Sequence, residues 1–99
     1  MMPLIIKWNK RALNQLIKAI EYIEKDSLQN AAKIKNKILA EINILTYHPE
    51  KFSPDKYKLN NDGSFRAFEL YHYRVSYRFK RNEIRIIRIR HTKRNPKHY

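Results

Sequence analysis

The stretch FRAFELYHYRVSYRFKRNEIRIIRIR, residues 65–90, decides the fold. Within it, the segment 73–80 alternates tyrosine, valine or phenylalanine with arginine, serine or lysine. This period of two predicts a strand with one apolar and one cationic face. Flanking patterns predict further strands at 65–71 and 83–90, joined to it by tight turns near 71–72 and 81–82.

The last of these strands changes phase along its length. Ile84 and Ile86 fall on one face, whereas Ile87 and Ile89 fall on the other. Either a bulge lies near Ile86 and Ile87, or the strand is central and partly buried on both faces. We favour the central position, because a strand near the beginning of the chain also needs a partner.

Upstream of this stretch, the sequence predicts a short strand followed by two helices. Alternation around residues 4–8 indicates the strand, and Asn9 can end it as the N-cap of a helix that runs to about Lys25. Asp26 and Ser27 offer the next cap. The first helix has the apolar stripe Leu13, Leu16, Ile17, Ile20 and Ile23, and the second has Ala31, Ile34, Ile38, Ile42 and Leu45.

Two amphipathic helices joined by a very short turn are expected to pack as an antiparallel hairpin. The predicted fold is therefore α+β, in the order β-α-α-β-β-β. The hairpin covers the apolar face of a twisted, mainly antiparallel four-stranded sheet. At 99 residues, the chain is expected to form a single domain over 1–99.

Charge is concentrated in the last third of the chain. Residues 66–99 carry eleven Lys or Arg against two acids, which gives +9 of the total net charge of +13. A sheet with one cationic face beside a basic tail produces a strong positive field. The expected ligand is a polyanion or an acidic protein segment.

Composition excludes several kinds of chemistry. The chain has no cysteine, and its single glycine, Gly63, rules out a glycine-rich phosphate loop. The nine acids are dispersed, and His48, His72, His91 and His98 lack the spacing of metal ligands. We therefore expect no metal and no cofactor. The apolar run 3–6 is too short for a membrane span, so a soluble cytoplasmic protein is expected.

A polar connector separates the helices from the strands. Residues 48–64 contain two prolines, two asparagines and Gly63 and have no periodicity. Connectors of this length in small domains are often functional, and this one is expected to border a site.

The order of elements, together with YRVSYR at 73–78 and RIRHTKRNP at 88–96, resembles the RelE/ParE superfamily of bacterial type II toxin–antitoxin toxins. The resemblance covers nearly the whole chain. It implies a small toxin held inactive by a cognate antitoxin, whose acidic, partly disordered segment wraps the basic face, and a toxin–antitoxin heterotetramer. RelE-like members cut mRNA on the ribosome without metal, whereas ParE-like members poison DNA gyrase.

The resemblance also suggests site residues. Arg74 matches the arginine that ribonuclease members use on the scissile phosphate, and Arg94 or Lys93 matches the basic residue after the last strand. Tyr99 lies near a functional tyrosine of some members. In the second strand, where several ribonucleases carry lysines, this chain has RAFEL at 66–70, which looks closer to ParE-like sequences.

Metal-free RNA cleavage requires a base, an acid and cations around the phosphate. Arg74, His91, Arg94 and Tyr99 are the candidate catalytic residues, with His91 or Tyr99 for proton transfer. Arg66, Arg78 and Lys93 are the candidate phosphate-binding residues. Convergence of these groups at the sheet's open face is the hypothesis.

Two of these residues also have a structural alternative. His91 can cap the strand end through a backbone hydrogen bond, and Arg74 can be one solvated residue of a cationic ladder with Arg78.

The sequence narrowly favours ribosome-dependent mRNA cleavage over inhibition of DNA gyrase. A non-toxic accessory protein that binds nucleic acid is a further alternative. An adjacent small acidic reading frame would favour the toxin over the accessory protein.

Overall fold

The computed structural model describes residues 3–94 and 97–99. Its elements are β1 (Ile5–Trp8), α1 (Lys10–Glu24), α2 (Leu28–Leu45), β2 (Phe65–Leu70), β3 (Tyr73–Lys80) and β4 (Glu83–His91). The strands form one sheet in the order β1-β4-β3-β2. β1 is parallel to β4, and the other neighbours are antiparallel. The predicted α+β architecture is confirmed.

The helix hairpin covers one face of the sheet. Ser27 caps α2, because its side chain accepts a hydrogen bond of 3.0 Å from the backbone N–H of Asn30. The predicted stripe of α2 is buried throughout. On α1 the buried positions are Ala12 and Leu16, whereas Leu13 and Ile17 remain 42% and 46% exposed. The small side chain of Ala12 takes a core position that the predicted stripe assigned to its larger neighbour.

Asn9 occupies the N-cap position of α1 in an extended backbone conformation. Its side-chain oxygen, however, accepts a hydrogen bond of 3.0 Å from Arg85 Nη1 on β4. A charged donor makes a stronger hydrogen bond than a neutral backbone N–H. Asn9 is therefore the N-cap residue that the sequence predicted, and its side chain ties α1 to the sheet instead of bonding to the first turn of the helix.

β4 is one of the two interior strands of the sheet, as favoured from the sequence, and it also contains a bulge. Ser76 pairs with Arg88 and Tyr77 pairs with Ile86, so Ile87 is an extra residue between two register pairs. The extra residue shifts the side-chain phase. This is why isoleucines on both sides of it, Ile86 and Ile89, are buried in one core.

β1 reaches only part of the way along β4. Their register ends with Trp8 opposite Ile86, whereas β4 continues to His91. Beyond that point α1 lies beside the strand, and Gln15 Oε1 accepts a hydrogen bond of 2.8 Å from the backbone N–H of Ile89. A helix side chain thus supplies the acceptor that a strand would otherwise provide.

The connector between α2 and β2 wraps around the edge of the sheet. On the helix side, the Tyr77 hydroxyl donates to the Pro49 carbonyl at 2.8 Å. Burial raises the pKa of Tyr77 to about 12. Pro54 then bridges to Arg66 on the edge strand, and the Asp55 N–H donates to the Phe65 carbonyl at 2.8 Å. The connector therefore reaches the opposite face of the sheet.

Within the described part of the chain, neither helix is both long enough and apolar enough to cross a membrane.

Candidate functional site

Register pairs show which side chains share a face of the sheet. The pairs Arg74–Arg90, Ser76–Arg88 and Arg78–Arg85 lie on the face away from the helices. We call this surface the arginine face, defined by Arg74, Arg78, Arg85, Arg88 and Arg90.

Two predicted site residues lie on the other face. Arg66 pairs with the core residue Tyr77, and His91 pairs with the core residue Tyr73. The predicted convergence of all candidates on the open face is therefore wrong for Arg66, which is in phase with the helix-covered core. His91 is in the same phase but lies at the end of β4, where it also borders a cavity lined by Arg74 and Arg94.

Arg74 lies between two carboxylates. Its Nη2 donates to Asp55 Oδ1 and its Nη1 donates to Glu69 Oε2, both at 2.8 Å. Its guanidinium carbon is 4.9 Å from the centre of the Tyr57 ring, and the side chain is only 16% exposed. Burial opposes the charge, but the hydrogen bonds to Asp55 and Glu69 raise the pKa of Arg74. Its positive charge is thus offset within the protein.

Asp55 is the residue that sequence reasoning missed. Its side chain is fully buried and accepts hydrogen bonds from Arg74, from the Tyr99 hydroxyl at 2.7 Å and from the Tyr57 N–H at 3.0 Å. Burial by itself would raise the pKa of Asp55, but these donors hold it below its usual value. An acid after a proline in an aperiodic connector was the available sequence signal.

Tyr99 is held on the arginine face by both backbone and side chain. Its N–H donates to the Tyr57 carbonyl at 2.9 Å, and its carbonyl accepts from the Leu59 N–H at 2.6 Å. The guanidinium carbon of Arg88 is 4.0 Å from the centre of the Tyr99 ring. Burial and the nearby Asp55 raise the pKa of Tyr99 strongly. Its hydroxyl is therefore a donor to Asp55 rather than a base.

Arg78 contacts the last part of the connector. Its Nε donates to Ser64 Oγ at 3.0 Å, its guanidinium lies 4.5 Å from the centre of the Phe65 ring, and it forms a longer ion pair of 3.8 Å with Asp62.

Arg66 also contacts the connector, from the helix side of the sheet. It donates to the carbonyls of Gly63 at 3.0 Å and Phe52 at 2.8 Å. In this structure, Arg66 and Arg78 both hold the connector against β2.

His91 lies at the end of β4, where its ring contacts Tyr73 edge-on at 5.1 Å between centres. Its Nδ1 accepts a hydrogen bond of 3.1 Å from the Lys93 N–H, which is the backbone contact considered as the alternative role. Partial burial, followed by the charges of Lys93, His72 and Arg94, lowers the pKa of His91. The neutral ring is therefore favoured near pH 7.

Three of the four candidate catalytic residues border one small cavity. Arg74, His91 and Arg94 line a space of about 50 Å³ together with Arg88 and Glu69. Tyr99 is joined to this group through Asp55. The space is comparable to one or two water molecules.

A larger groove runs between α1 and the end of the sheet. It encloses about 640 Å³, and its cationic lining includes Arg11, Lys18 and Arg94. All three side chains are exposed. Buried Tyr73 and Ile89 contribute apolar surface, and of the described residues that line the groove, none is acidic. We call this surface the α1 groove.

Among the described residues, no cluster of histidine and acidic side chains could hold a metal ion.

Solved structures share this architecture. A chain of the chromosomal ParDE toxin–antitoxin system from P. aeruginosa matches with a TM-score of 0.72 and 19% identity, covering 91% of this chain and 97% of that one. A chain of the RelBE2 toxin–antitoxin complex from Mycobacterium tuberculosis matches with a TM-score of 0.55 and 18% identity, covering 92% and 93%. Both matches show that this chain shares its fold with these two proteins.

A family comparison is more specific. The model for the ParE toxin of type II toxin–antitoxin system, parDE, matches residues 6–96, and the chain belongs to this family. Comparison with curated proteins finds no match. The protein is therefore a toxin of the ParE family of type II toxin–antitoxin systems.

Proposed function

We propose that this toxin arrests growth in the cytoplasm by inhibiting DNA gyrase rather than by cutting mRNA. The observation that carries the proposal is the state of Arg74, whose guanidinium is bound by Asp55 and Glu69. Membership of the ParE family and the ParE-like segment at 66–70 point in the same direction.

Cleavage of RNA without metal requires uncompensated positive charge at the scissile phosphate. Arg74 would have to release Asp55, a fully buried carboxylate, before it could serve a phosphate. Separating a buried ion pair costs several kcal/mol, on the order of 3 to 5. That cost disfavours Arg74 as a phosphate ligand in this chain.

The groups proposed for proton transfer are also engaged. His91 uses Nδ1 to accept from the Lys93 backbone, and the Tyr99 hydroxyl donates to Asp55. A general base has to reach the proton that it removes within hydrogen-bond distance. In this arrangement the Nδ1 lone pair of His91 and the hydroxyl proton of Tyr99 are both held by other groups of the protein.

A pair of assays with the purified toxin tests the proposal. We expect loss of gyrase supercoiling activity on plasmid DNA, with intact mRNA in a translation reaction analysed by primer extension. Addition of the cognate antitoxin should restore supercoiling. Discrete mRNA cuts together with normal supercoiling would overturn the proposal. Absence of growth arrest on expression would favour the nucleic-acid-binding accessory protein.

mRNA cleavage remains the second candidate because Arg74, His91 and Arg94 border a common cavity. The two mechanisms differ in their response to His91→Ala. Cleavage by general acid–base chemistry would lose roughly 100-fold or more in rate without the imidazole. Gyrase inhibition through a binding surface would leave the growth arrest of this variant close to that of the parent protein.

We infer further that the α1 groove receives an acidic segment of the antitoxin. Arg11, Lys18 and Arg94 supply exposed positive charge beside the apolar surface of Tyr73 and Ile89. An acidic segment carrying an apolar side chain complements both features.

A further inference from the structure

The centre of the arginine face is covered by a layer of its own. Segment 97–99 is joined to the connector by the Tyr99 hydrogen bonds to Tyr57 and Leu59. Beneath this layer, Ser76 is only 1% exposed and Ala67 only 9%, although both belong to the face away from the helices. The layer therefore excludes water from the middle of the arginine face.

Asp55 fastens this layer to the sheet. A single carboxylate accepts from Arg74 through Oδ1 and from the Tyr99 hydroxyl through Oδ2. The same side chain thus neutralises an arginine of β3 and holds the aromatic ring that covers Arg88 of β4. Loss of this one contact would affect both arginines.

The covered arginines retain unused capacity for hydrogen bonding. Among the described residues, the Nε atoms of Arg74 and Arg88 are buried side-chain nitrogens without a hydrogen-bond partner. Guanidinium N–H groups bind phosphate oxygens well. The Tyr99 ring on Arg88, 4.0 Å from ring centre to guanidinium carbon, occupies the place that a stacked nucleobase could take.

We propose that the arginine face is a latent binding site for single-stranded nucleic acid, kept covered by the contact between Asp55 and Tyr99. This inference goes beyond gyrase inhibition and does not depend on it. In the parent protein Tyr99 takes the place of a base, and Asp55 takes the place of a phosphate.

Fluorescence anisotropy with a labelled oligothymidylate of about 15 nucleotides tests this inference on the purified chain. Asp55→Asn and Tyr99→Ala are each expected to tighten binding about tenfold at low salt. Each phosphate newly contacted should steepen the dependence of log K on log salt by about 0.7, hence about 1.4 for two arginines. Tyr99→Phe, which removes only the hydroxyl, should shift binding in the same direction.

Two matched controls separate this effect from general changes in charge and surface. Asp26→Asn removes an equal charge from an exposed turn, and Tyr47→Ala truncates a tyrosine that is 53% exposed and lines neither the α1 groove nor the small cavity beside Arg74. If Asp55→Asn and Tyr99→Ala bind no tighter than these controls, with the same salt slope, the inference is overturned. If Asp55→Asn fails to fold by circular dichroism, Tyr99→Ala alone decides. Because the assay contains neither gyrase nor ribosomes, its failure is distinguishable from failure of the proposed function.

Discussion

Two surfaces of this toxin carry similar cationic residues but differ in how available the charge is. On the arginine face, Arg74 is bound by two carboxylates and Arg88 lies under an aromatic ring. In the α1 groove, Arg11 and Lys18 are exposed, and none of the described lining residues is acidic. A count of charged residues along the sequence does not distinguish the two surfaces. Burial and ion pairing show that mainly the cations of the α1 groove are available to a partner.

The difference arises from the elements that surround each surface. The connector brings Asp55 and Tyr57 across the edge of the sheet, and segment 97–99 adds Tyr99 above them. The groove is bordered by α1, whose exposed side chains Arg11 and Lys18 line it. Arginines on the sheet therefore stabilise the fold, while cations on the helix remain available for binding.

The largest expected effect comes from removing the carboxylate at the centre of the arginine face. Asp55→Ala should lower the free energy of unfolding by roughly 3 kcal/mol, because it leaves the largely buried Arg74 without its main counter-charge. Urea denaturation measures this loss. Asp26→Ala, at an exposed turn, should stay within about 0.5 kcal/mol of the parent protein. Equal stability of the two variants would show that Asp55 does not hold the fold.

The reverse pattern is expected in the α1 groove. The double variant Arg11→Glu and Lys18→Glu should weaken antitoxin binding by about 10- to 100-fold, or roughly 1.4 to 2.7 kcal/mol. Its unfolding midpoint should change little, because both side chains are exposed. Isothermal titration with the antitoxin provides the measurement.

The control for this variant is Lys35→Glu with Lys37→Glu, an equal charge change at exposed positions of α2 outside the groove. Similar losses in both double variants would mean that only net charge matters.

Acidic pH should affect the arginine face through Asp55. Its pKa is lowered in the folded protein, so its stabilising contribution is present above the unfolded value of about 3.9. That contribution is lost as the pH falls through the lower folded-state value. Unfolding measured between about pH 2 and 6 should show a smaller acid-dependent loss for Asp55→Asn than for the parent chain. Parallel curves would contradict this assignment.

The smallest effect concerns His91, which lies where the two surfaces meet. Partial burial and the charges of Lys93, His72 and Arg94 lower its pKa, so it should titrate below about 6.5. Histidine NMR signals followed with pH would show this directly. Arg94→Ala should move the titration midpoint of His91 upward, because it removes one of these charges, whereas Lys35→Ala should leave the midpoint unchanged.

The sequence predicted the elements well because their patterns are local. Alternation located β3 at its observed bounds, and the apolar stripe of α2 proved to be the buried face. The placement of Arg66 could also have been read from the sequence. It is in phase with Phe68 and Leu70 on β2, and therefore faces the helices rather than the arginine face.

The covering of the arginine face could not be predicted in this way. Asp55 forms hydrogen bonds with Arg74, which is 19 residues away in the sequence, and with Tyr99, which is 44 residues away. The connector that contains Asp55 has no periodicity. Alternation showed which arginines share a face, but it contains no information on what lies above them. The candidate site was therefore only partly predictable, since pairing between distant segments decides which charges remain available.

The hydrogen bond between Gln15 and the backbone of Ile89 bears on how this basic, aromatic-rich sheet avoids aggregation. Unpaired strand edges are templates for pairing with other chains. Past the end of β1, the side chain of Gln15 occupies the backbone donor of Ile89 on β4, and at the far edge Pro54 bridges to Arg66 on β2. A side-chain amide at one border and a proline at the other thus hinder growth of the sheet from molecule to molecule.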